Sequence, residues 1–400
     1  MSNHQLLVNS QTGKFAGYEL IQPDSNYKIL KIEESDVFES LRDDWGLLLS
    51  QSPHQDAFLS WEWLFSWWKY FGKGSELWLV TVWADQELVG IAPLMLNKRK
   101  KFGLHFRVLC NIGIPETDVG GFIVKDDDPR IYQAICDFLV HQKRNWDLLE
   151  LEEVEVSRLE KITSALKHNG FDILEAYNQH YYISIDSDWD TYFSNLPKKN
   201  RHEFRRKARR VKEASTSFTF VRHVGQEITD EDIATMFAIN QCGHFPDFFE
   251  SDERQQFHRD LFRLMSDKGR PEVSYLVLDG VPAAFGYGFN YANRLEMWRI
   301  GFDTAHCELS IGTVLMNLML EECFKHNYRE VDFLRGAEDY KTRWNPLSRN
   351  YANLRVAART RLKPLLFGIL IPRLARYSLK KLNRHSPFIR RKEAKEDRAC

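Results

Sequence analysis

One stretch of the chain decides the fold: PEVSYLVLDGVPAAFGYGFNYANRLEMWRIGFDTAHCELSIGTVLMNLMLEECFKHNYREVDFLRGAEDYKTRWNP, residues Pro271–Pro346. Apolar residues over Val273–Leu278 and Val281–Asn290 flank Asp279-Gly280, a dipeptide typical of the turn in a β-hairpin. A further strand is predicted over Arg294–Phe302. The stretch therefore begins with a hairpin and a third strand.

A helix and another strand complete this stretch. Apolar residues recur at helical spacing from Ile311 to Phe324, and Glu330–Leu334 is the next predicted strand. Ser310 is a candidate N-cap, and a glycine in the first turn leaves the backbone N–H groups uncovered. Unpaired N–H groups at a helix start attract phosphate. The residues expected to bind a pyrophosphate-bearing cofactor such as coenzyme A are therefore Ser310, Ile311, Gly312 and Thr313.

The order of strand, loop, helix and strand occurs in every α/β protein, so it does not decide the function alone. At 400 residues the chain exceeds what one hydrophobic core supports, which predicts two domains or two repeats. Lys and Arg number 55 against 56 Asp and Glu, so there is no overall attraction to nucleic acid.

The cysteines and the N-terminus suggest a reducing compartment. Six cysteines lie far apart, with no Cys-x-x-Cys pair and no histidine at ligand spacing, so we expect reduced thiols and no metal site. Met1–Asn26 lacks a basic segment followed by an apolar run, and no stretch reaches the length of a membrane span. These features predict a cytoplasmic protein.

The chain divides into a polar lead-in (1–27), a first half (28–180), a second half (181–355) and a basic tail (356–400). In the first half we predict a hairpin of Glu76–Trp83 and Glu87–Leu96, followed by a polar, basic stretch at Asn97–Lys101. We also predict a helix over Arg130–Gln142, strands over Val119–Val124 and Leu148–Leu151, and an aromatic core helix within Phe58–Phe71. Its hairpin, Leu79–Pro93, resembles Tyr275–Phe285, which suggests a duplication. Because no Ser-Ile-Gly-like helix opening follows the first hairpin, only the second half is expected to bind a cofactor.

Three segments carry a resemblance to a known family: LVGIAPL (Leu88–Leu94), LPKKNRHEFRR (Leu196–Arg206) and DFLRGAEDYK (Asp332–Lys341). Because these three segments occur in this order, the chain resembles the GNAT superfamily over roughly residues 30 to 355. More narrowly, it resembles the CelD-like acetyltransferases associated with bacterial cellulose biosynthesis, which are related to Fem-type aminoacyl transferases. The resemblance implies an α/β (α+β) fold of two tandem GNAT-like domains, each a mixed central sheet flanked by helices, with one working site.

The reaction implied is transfer of an acyl group from acyl-CoA, such as acetyl-CoA, to an amine or hydroxyl. It requires a donor for the developing oxyanion, a base for the nucleophile and an acid for the thiolate. The resemblance implies a backbone N–H donor on the strand before the phosphate loop, near Arg299 to Phe302, where Ile300, Gly301 and Phe302 are the residues expected to bind the cofactor. It also implies Tyr340 as the general acid and Lys341 as a cation near the substrate. Alternatively, Tyr340 packs against Trp344 and Lys341 is solvated.

The base is predicted from burial. Glu296 lies on a strand between two apolar residues, and half-burial would raise the pKa of its carboxyl. Asp339, Glu338 and His244 are rivals. His244 lies in the aromatic loop Cys242–Phe249, where it is either part of a substrate pocket wall or structural.

The run Lys198–Lys212 carries nine Lys or Arg and one acidic residue, which predicts a cationic helix docked on the core by Phe204, Ala208 and Val211. Like charges repel at this spacing, so an anion should compensate them. Acidic residues of the fold, a phosphate or RNA would serve. We favour a phosphate-bearing substrate or cofactor over nucleic acid, and the substrate-binding residues expected are Arg201, Arg205, Arg335 and His244.

The tail over Arg361–Lys392 has ten Lys or Arg, no Asp or Glu, and many leucines. Such basic amphipathic stretches adsorb to anionic membranes. Pro364, Gly368 and Pro372 argue against one long helix. We expect weak, salt-sensitive binding at the inner face of the membrane; the alternative is a segment that covers the core or stays loose.

Together these observations predict a cytoplasmic acyltransferase whose acceptor is a small molecule or is linked to a cell-envelope polysaccharide. One rival is a Fem-like transferase that uses aminoacyl-tRNA. The other is a non-catalytic scaffold that binds a ligand without turnover.

Overall fold

The structure is a computed structural model, and it describes residues 19–21, 27–101, 103–167, 169–336, 338, 340–358 and 361–374. The chain forms two compact units. The first contains the described residues up to Tyr177 and those from Tyr351 onward, and the second runs from Asn178 to Asn350. Residues 351–374 thus return to the first unit, whereas the sequence grouped 351–355 with the second half and set 356–400 apart as a tail.

The regular elements are numbered in chain order. The strands are β1 (Glu19–Ile21), β2 (Tyr27–Ile32), β3 (Glu76–Ala84), β4 (Glu87–Lys101), β5 (Leu104–Asn111), β6 (Ile123–Val124), β7 (Leu148–Glu155), β8 (Phe171–Ser184), β9 (Phe218–Val224), β10 (Pro271–Leu278), β11 (Val281–Tyr291), β12 (Arg294–Phe302), β13 (Glu330–Arg335) and β14 (Leu347–Ala358). The α-helices are α1 (Ser35–Ser40), α2 (Arg42–Gln51), α3 (Trp61–Phe71), α4 (Pro129–His141), α5 (Val156–Lys167), α6 (Trp189–Asn195), α7 (Lys198–Ala214), α8 (Asp230–Gln241), α9 (Asp252–Ser266), α10 (Ile311–Lys325) and α11 (Leu362–Pro364). Short 3₁₀ turns occur at Ala57–Leu59, Lys125–Asp127, Gly225–Glu227, Pro246–Phe249, Thr304–Leu309 and Lys341–Trp344.

The sheet of the first unit has the strand order β1-β2-β3-β4-β5-β7-β14, with β6 beside β4. The β5–β7 pair is parallel, and the other pairs given for this unit are antiparallel. Helices α4 and α5 pack on the sheet through buried residues such as Ile135, Phe138 and Ile162. The aromatic helix α3 buries Trp61, Trp63 and Trp67, which confirms it as a core helix.

The sheet of the second unit has the order β8-β13-β12-β11-β10-β9, in which the β12–β13 pair is parallel. Helices α7 and α10 cover one face, where Val211 and Leu315 share a buried cluster with Leu276. Helices α8 and α9 cover the opposite face, where Phe262 packs on Tyr287. The α/β class, with mixed sheets flanked by helices, is therefore confirmed.

The predicted hairpin turn is present, because Asp279 and Gly280 both take positive φ angles, 52° and 82°. Two predictions in the first unit need correction. The strand expected over Val119–Val124 is confined to Ile123–Val124, since the preceding residues form a loop. The basic residues 97–101, which the sequence placed after the hairpin, continue β4 to Lys101.

The cysteines differ from expectation at one position. Cys110, Cys136, Cys242 and Cys323 are free. Cys307 is disulfide-bonded, so the prediction of six reduced cysteines is wrong there. Within the described residues, no helix is long and apolar enough to cross a membrane, and no group of His, Cys, Asp and Glu could hold a metal ion.

Candidate active site

The parallel strands β12 and β13 separate after a short pairing. Only Arg294–Glu296 pair with Glu330–Asp332. Beyond that point β12 continues to Phe302 paired with β11, while β13 continues beside β8. The edge of β12 over Met297–Phe302 thus has no strand partner on the β13 side in the described part of the chain, so a ligand can pair there with the backbone of Ile300–Phe302. This edge contains the predicted oxyanion donors Ile300, Gly301 and Phe302.

A β-bulge reshapes this same strand. The register with β11 shifts between Met297 and Arg299, which leaves Trp298 as the extra residue. The bulge is possible because the facing residue is Gly288, where a Cβ would overlap the carbonyl oxygen of Glu296. Trp298 contacts Phe248 on the α8–α9 side, at 5.6 Å between ring centroids.

Helix α10 begins without a side-chain cap. Ser310 occupies the N-cap position with φ 56° and ψ 43°, but its side chain accepts no cap hydrogen bond, so the predicted capping role is wrong. The N–H of Thr313 donates to the Ser310 carbonyl at 3.1 Å. The N–H groups of Ile311 and Gly312 show no hydrogen bond to any described residue. The helix start therefore presents two donors and the positive end of its dipole.

A lysine from the cationic helix α7 lies at this helix start. The Nζ of Lys207 is 3.3 Å from Thr313 Oγ1 and 3.0 Å from Glu203 Oε1. Its side chain is buried, and burial lowers the pKa of the ammonium while Glu203 opposes the shift. Sequence reasoning missed Lys207 as a site residue. The signal was available, because Lys207 lies three residues after buried Phe204 and four before buried Val211, on the apolar stripe of the helix.

The three predicted substrate-binding arginines are distributed differently. Arg205 is exposed and its guanidinium lies 5.2 Å from the centre of the Phe193 ring. Arg201 is half-buried, and its Nε has no hydrogen-bond partner among the described residues. Arg335 ends β13, and its carbonyl accepts a hydrogen bond from Lys341. Arg201 and Arg205 thus lie on α7, whereas Arg335 lies at the end of β13.

Lys341 closes the loop after β13. Its Nζ donates to the carbonyls of Arg335 at 2.7 Å and Gly336 at 3.2 Å, and lies 2.9 Å from Glu338 Oε2. These contacts engage all three ammonium hydrogens of a buried side chain. Lys341 therefore holds this loop in shape.

Tyr340 lies on the α7–α10 side of the sheet. Its ring meets Trp344 edge-on at 6.4 Å, and Trp344 in turn stacks on Phe204 of α7 and donates to Asn317 of α10 at 2.6 Å. The phenol is partly exposed. Desolvation of the phenol oxygen by the neighbouring residues, and to a lesser degree the charge of Glu338, raise the pKa of Tyr340. Asp339, the rival base, lies outside the described residues.

Glu296 is fully buried rather than half-buried. Arg294 donates from Nε to Glu296 Oε1 at 3.1 Å. On the adjacent strand, Asp332 pairs with Arg349 at 3.1 Å, and burial raises the pKa of this aspartate. Glu296 thus belongs to a buried ionic network whose cations already balance its charge.

The loop that carries His244 is tied down at several points. Asn240 donates to the Phe245 carbonyl at 2.9 Å, and Thr304, just after β12, donates to the Cys242 carbonyl at 2.8 Å. The His244 ring meets Phe302 edge-on at 5.4 Å. The loop lines an open cleft of about 600 Å³ whose wall includes His244, Phe245, Asp247, Phe248, Glu250 and Arg254. His244 therefore lies in a pocket wall beside the end of β12.

Comparison with known proteins agrees with this architecture. Residues 198–342 match the family model of the acetyltransferase (GNAT) domain. The crystal structure of FemX is 12% identical, with 78% of this chain and 95% of that chain covered at a TM-score of 0.55. A conserved protein of unknown function from Bacteroides thetaiotaomicron VPI-5482 is 12% identical over 80% and 97% of the two chains, at a TM-score of 0.50.

A tandem GNAT protein from the clavulanic acid biosynthesis pathway is also similar, at 12% identity, coverage of 83% and 98%, and a TM-score of 0.46. No curated protein sequence matches the chain. The similarity to FemX confirms the expected likeness to Fem proteins for the fold, and the narrower CelD-like assignment is not confirmed. The chain carries in its second unit, over residues 198–342, a segment that matches the acetyltransferase (GNAT) domain.

Proposed function

We propose that the protein is an acyltransferase that binds acyl-CoA in its second unit and transfers the acyl group to an amine or hydroxyl. One observation carries this proposal. The uncapped start of α10, with Lys207 beside it, follows strand β12 after the short turn Thr304–Leu309, and the edge of β12 is left without a strand partner where β12 separates from β13. An anionic, extended cosubstrate needs this combination of phosphate donors and a free backbone edge.

The residues present fit coenzyme A at the level of chemistry. The N–H groups of Ile311 and Gly312 and the ammonium of Lys207 would hold the pyrophosphate. Gly312 packs directly on Phe302, where an added Cβ would come within 3.0 Å of the ring. The free edge of β12 would bind the pantetheine amides as a neighbouring strand does.

Acyl-CoA, when bound, supplies an activated thioester carbonyl to the nucleophile. Outward N–H groups of Ile300–Phe302 stabilise the developing oxyanion. Tyr340 donates its proton to the departing thiolate, and the proton that the attacking amine or hydroxyl loses passes to water and from there restores the phenol. Lys341 acts through the loop it holds, so it is a positioning residue for Tyr340. Glu296, within its ionic network, supports the strands at the point where they separate.

The acceptor would bind in the cleft of the His244 loop, near the end of β12. Phe245 presents an exposed ring, and Asp247 and Glu250 add carboxylates that are also exposed. Ring faces and carboxylates attract a protonated amine and repel phosphate, and the two carboxylates outnumber the one cation of the wall, Arg254. We therefore propose a small or glycan-linked amine as the acceptor, in a cytoplasmic reaction.

A Fem-like reaction with aminoacyl-tRNA is the rival. The exposed basic residues of α7, among them Arg205, Arg209 and Lys212, would serve it. RNA bound by such a helix would be released steeply by salt. Coenzyme A bound to two N–H groups and one buried lysine would depend on salt only weakly.

Calorimetric titration with coenzyme A, followed by thiol-release assays with acetyl-CoA and a panel of amines, tests the proposal. We expect saturable binding and release of free thiol that depends on an added amine. Binding without thiol release would favour the scaffold. Absence of coenzyme A binding, with salt-sensitive tRNA binding instead, would favour the Fem-like rival. Mass spectrometry of the purified protein for a co-purified thioester is an independent check.

A further inference from the structure

The C-terminal helical segment of the first unit has one docked face. Helix α11 (Leu362–Pro364) leads into a π-helical turn, Leu365–Leu370, and residues 371–374 continue as helix. Ile369 is buried with Phe106 and Leu148. Gly368 lies so close to Leu148 that a Cβ would overlap it. Pro364 is tolerated here because it is near the start of the segment, where its missing N–H has no helical partner.

The opposite face is a row of leucines. Leu362, Leu366, Leu370 and Leu374 repeat every four residues. In an α-helix of about 3.6 residues per turn such a row would drift around the axis, but the π turn is wider and keeps it nearly straight. The exposed fractions are 74% for Leu362, 36% for Leu366 and 66% for Leu374, and Ile371 beside them is 38% exposed. We name the four leucines and Ile371 together the leucine face.

Polar anchors fix the orientation of this segment. Arg361 donates to the Trp146 carbonyl at 2.6 Å and pairs with Asp147 at 2.9 Å. Arg373, at the other end, donates to the Ile173 carbonyl at 2.8 Å. The anchors hold the leucine face away from the first unit. Leucines held outward at this density are a contact surface rather than scattered apolar residues.

The sequence indicates the partner. From Arg361 to Lys392 there are ten Lys or Arg and no Asp or Glu, interleaved with apolar residues. We propose that the leucine face inserts into the interface of an anionic membrane. The lipid headgroups would meet the seven Lys or Arg that follow Leu374 up to Lys392, which lie outside the described part of the chain, since Arg361, Lys363 and Arg373 are bonded to the first unit. Apolar insertion and attraction between opposite charges act together in such surfaces. A protein partner would need acidic groups of matching position, whereas a bilayer supplies a continuous anionic plane.

Co-sedimentation of the full chain with vesicles tests this proposal. We compare vesicles of equal parts phosphatidylglycerol and phosphatidylcholine with vesicles of phosphatidylcholine alone. The wild type should bind the mixed vesicles, more weakly as salt rises, and bind the neutral vesicles little. The double variant Leu362→Gln/Leu374→Gln removes the two most exposed leucines without touching the docked face. We expect it to lower the partition coefficient at least about tenfold.

Leu47→Gln is the matched control, because Leu47 is a 53% exposed leucine on helix α2 of the same unit. It should bind like the wild type. Three results would overturn the proposal: no binding by the wild type, equal binding of both vesicle types, or a double variant that binds like the control. A wild type that is dimeric without lipid and a double variant that is monomeric would also overturn it, since the leucine face would then be a contact between copies.

Discussion

The two units differ most at the helix that connects their parallel strands. In the first unit, Asp128 caps α4 by accepting from the Arg130 N–H at 2.8 Å, and Pro129 removes one donor altogether. In the second unit, Ser310 leaves α10 uncapped, and Gly312 adds no side chain to its first turn. One helix start is satisfied by its own chain and carries a negative charge, whereas the other remains open to an anion.

The parallel strands show the same contrast. Strand β5 pairs with β7 at Val108–Cys110, almost at its end, and the Asn111 side chain then bonds to the backbone of Glu152 at 3.0 and 3.2 Å. Strand β12 pairs with β13 at its beginning and extends six residues, Met297–Phe302, beyond the pairing. A shared plan of hairpin, strand, helix and strand thus gives a closed first unit and an open second unit. Where the pairing falls along the strand decides which of them has room for a ligand.

The largest effect is expected from Tyr340→Phe. Loss of a general acid should lower kcat about 10²- to 10⁴-fold, while the Kd for coenzyme A stays unchanged because the phenol does not hold the phosphates. Thiol-release kinetics and calorimetry measure the two quantities. Wild-type turnover in this variant would remove Tyr340 from the mechanism.

The same tyrosine predicts a pH profile. Because the pKa of Tyr340 is raised above its usual value of about 10, the phenol stays protonated at pH values where a free tyrosine ionises. The alkaline limb of the kcat profile should therefore lie above that value. An alkaline limb below that value that vanishes in Tyr340→Phe would identify Tyr340 as the titrating acid but contradict its raised pKa.

Ser310→Asp gives α10 an aspartate at its N-cap position, as Asp128 does for α4. Aspartate and asparagine both tolerate the left-handed conformation of this position, so Ser310→Asn is the neutral control. The added charge beside a bound pyrophosphate should cost about 2 to 3 kcal/mol, or about 30- to 150-fold in the Kd for coenzyme A. Calorimetry of both variants measures it. Equal affinities would mean that the phosphates bind elsewhere.

Lys207→Met should have a smaller effect. Loss of one charge-assisted contact weakens coenzyme A binding about tenfold, with kcat retained at saturation. The lowered pKa of Lys207 also predicts the direction of the pH dependence. The affinity of the wild type for coenzyme A should fall as pH rises toward that pKa, because the ammonium loses its proton. The variant should lose this dependence. A pH-independent wild type would exclude Lys207 from the phosphate site.

Asn111→Ala is expected to act on stability alone. It leaves the backbone N–H and carbonyl of Glu152 without their side-chain partners, at a cost of about 1 to 3 kcal/mol in the free energy of unfolding. Denaturant unfolding measures this loss, and calorimetry should find coenzyme A affinity unchanged. A weakened affinity would mean that the closed unit also takes part in binding.

Local patterns predicted the elements of the second unit closely. The start and end of β12 and the start of α10 follow from apolar periodicity and from the residues that break it. The bulge at Trp298 does not, because it depends on the contact of Gly288 with another strand. The engagement of Lys341 with carbonyls of its own loop is equally invisible in a sequence that shows only a lysine after a strand.

Positions set by tertiary packing were the hardest to foresee. Lys207 was hidden among nine cationic residues, although its spacing from Phe204 distinguishes it. Glu296 was expected to be half-buried because its strand alternates, but Arg294 allows full burial. The return of residues 351–358 to the first unit cannot be predicted from local sequence, since a strand pattern does not show which other strand it pairs with.

That return bears on the order in which the protein matures. The edge of β7 receives Tyr351–Val356 as its neighbour only after the whole second unit has left the ribosome. Until then this edge of β7 has backbone N–H and carbonyl groups without a strand partner, and these groups can pair with strands of other chains. Although it is made first, the amino-terminal unit is therefore the last to be completed, and a chain that stalls before Tyr351 is the species most in need of a chaperone.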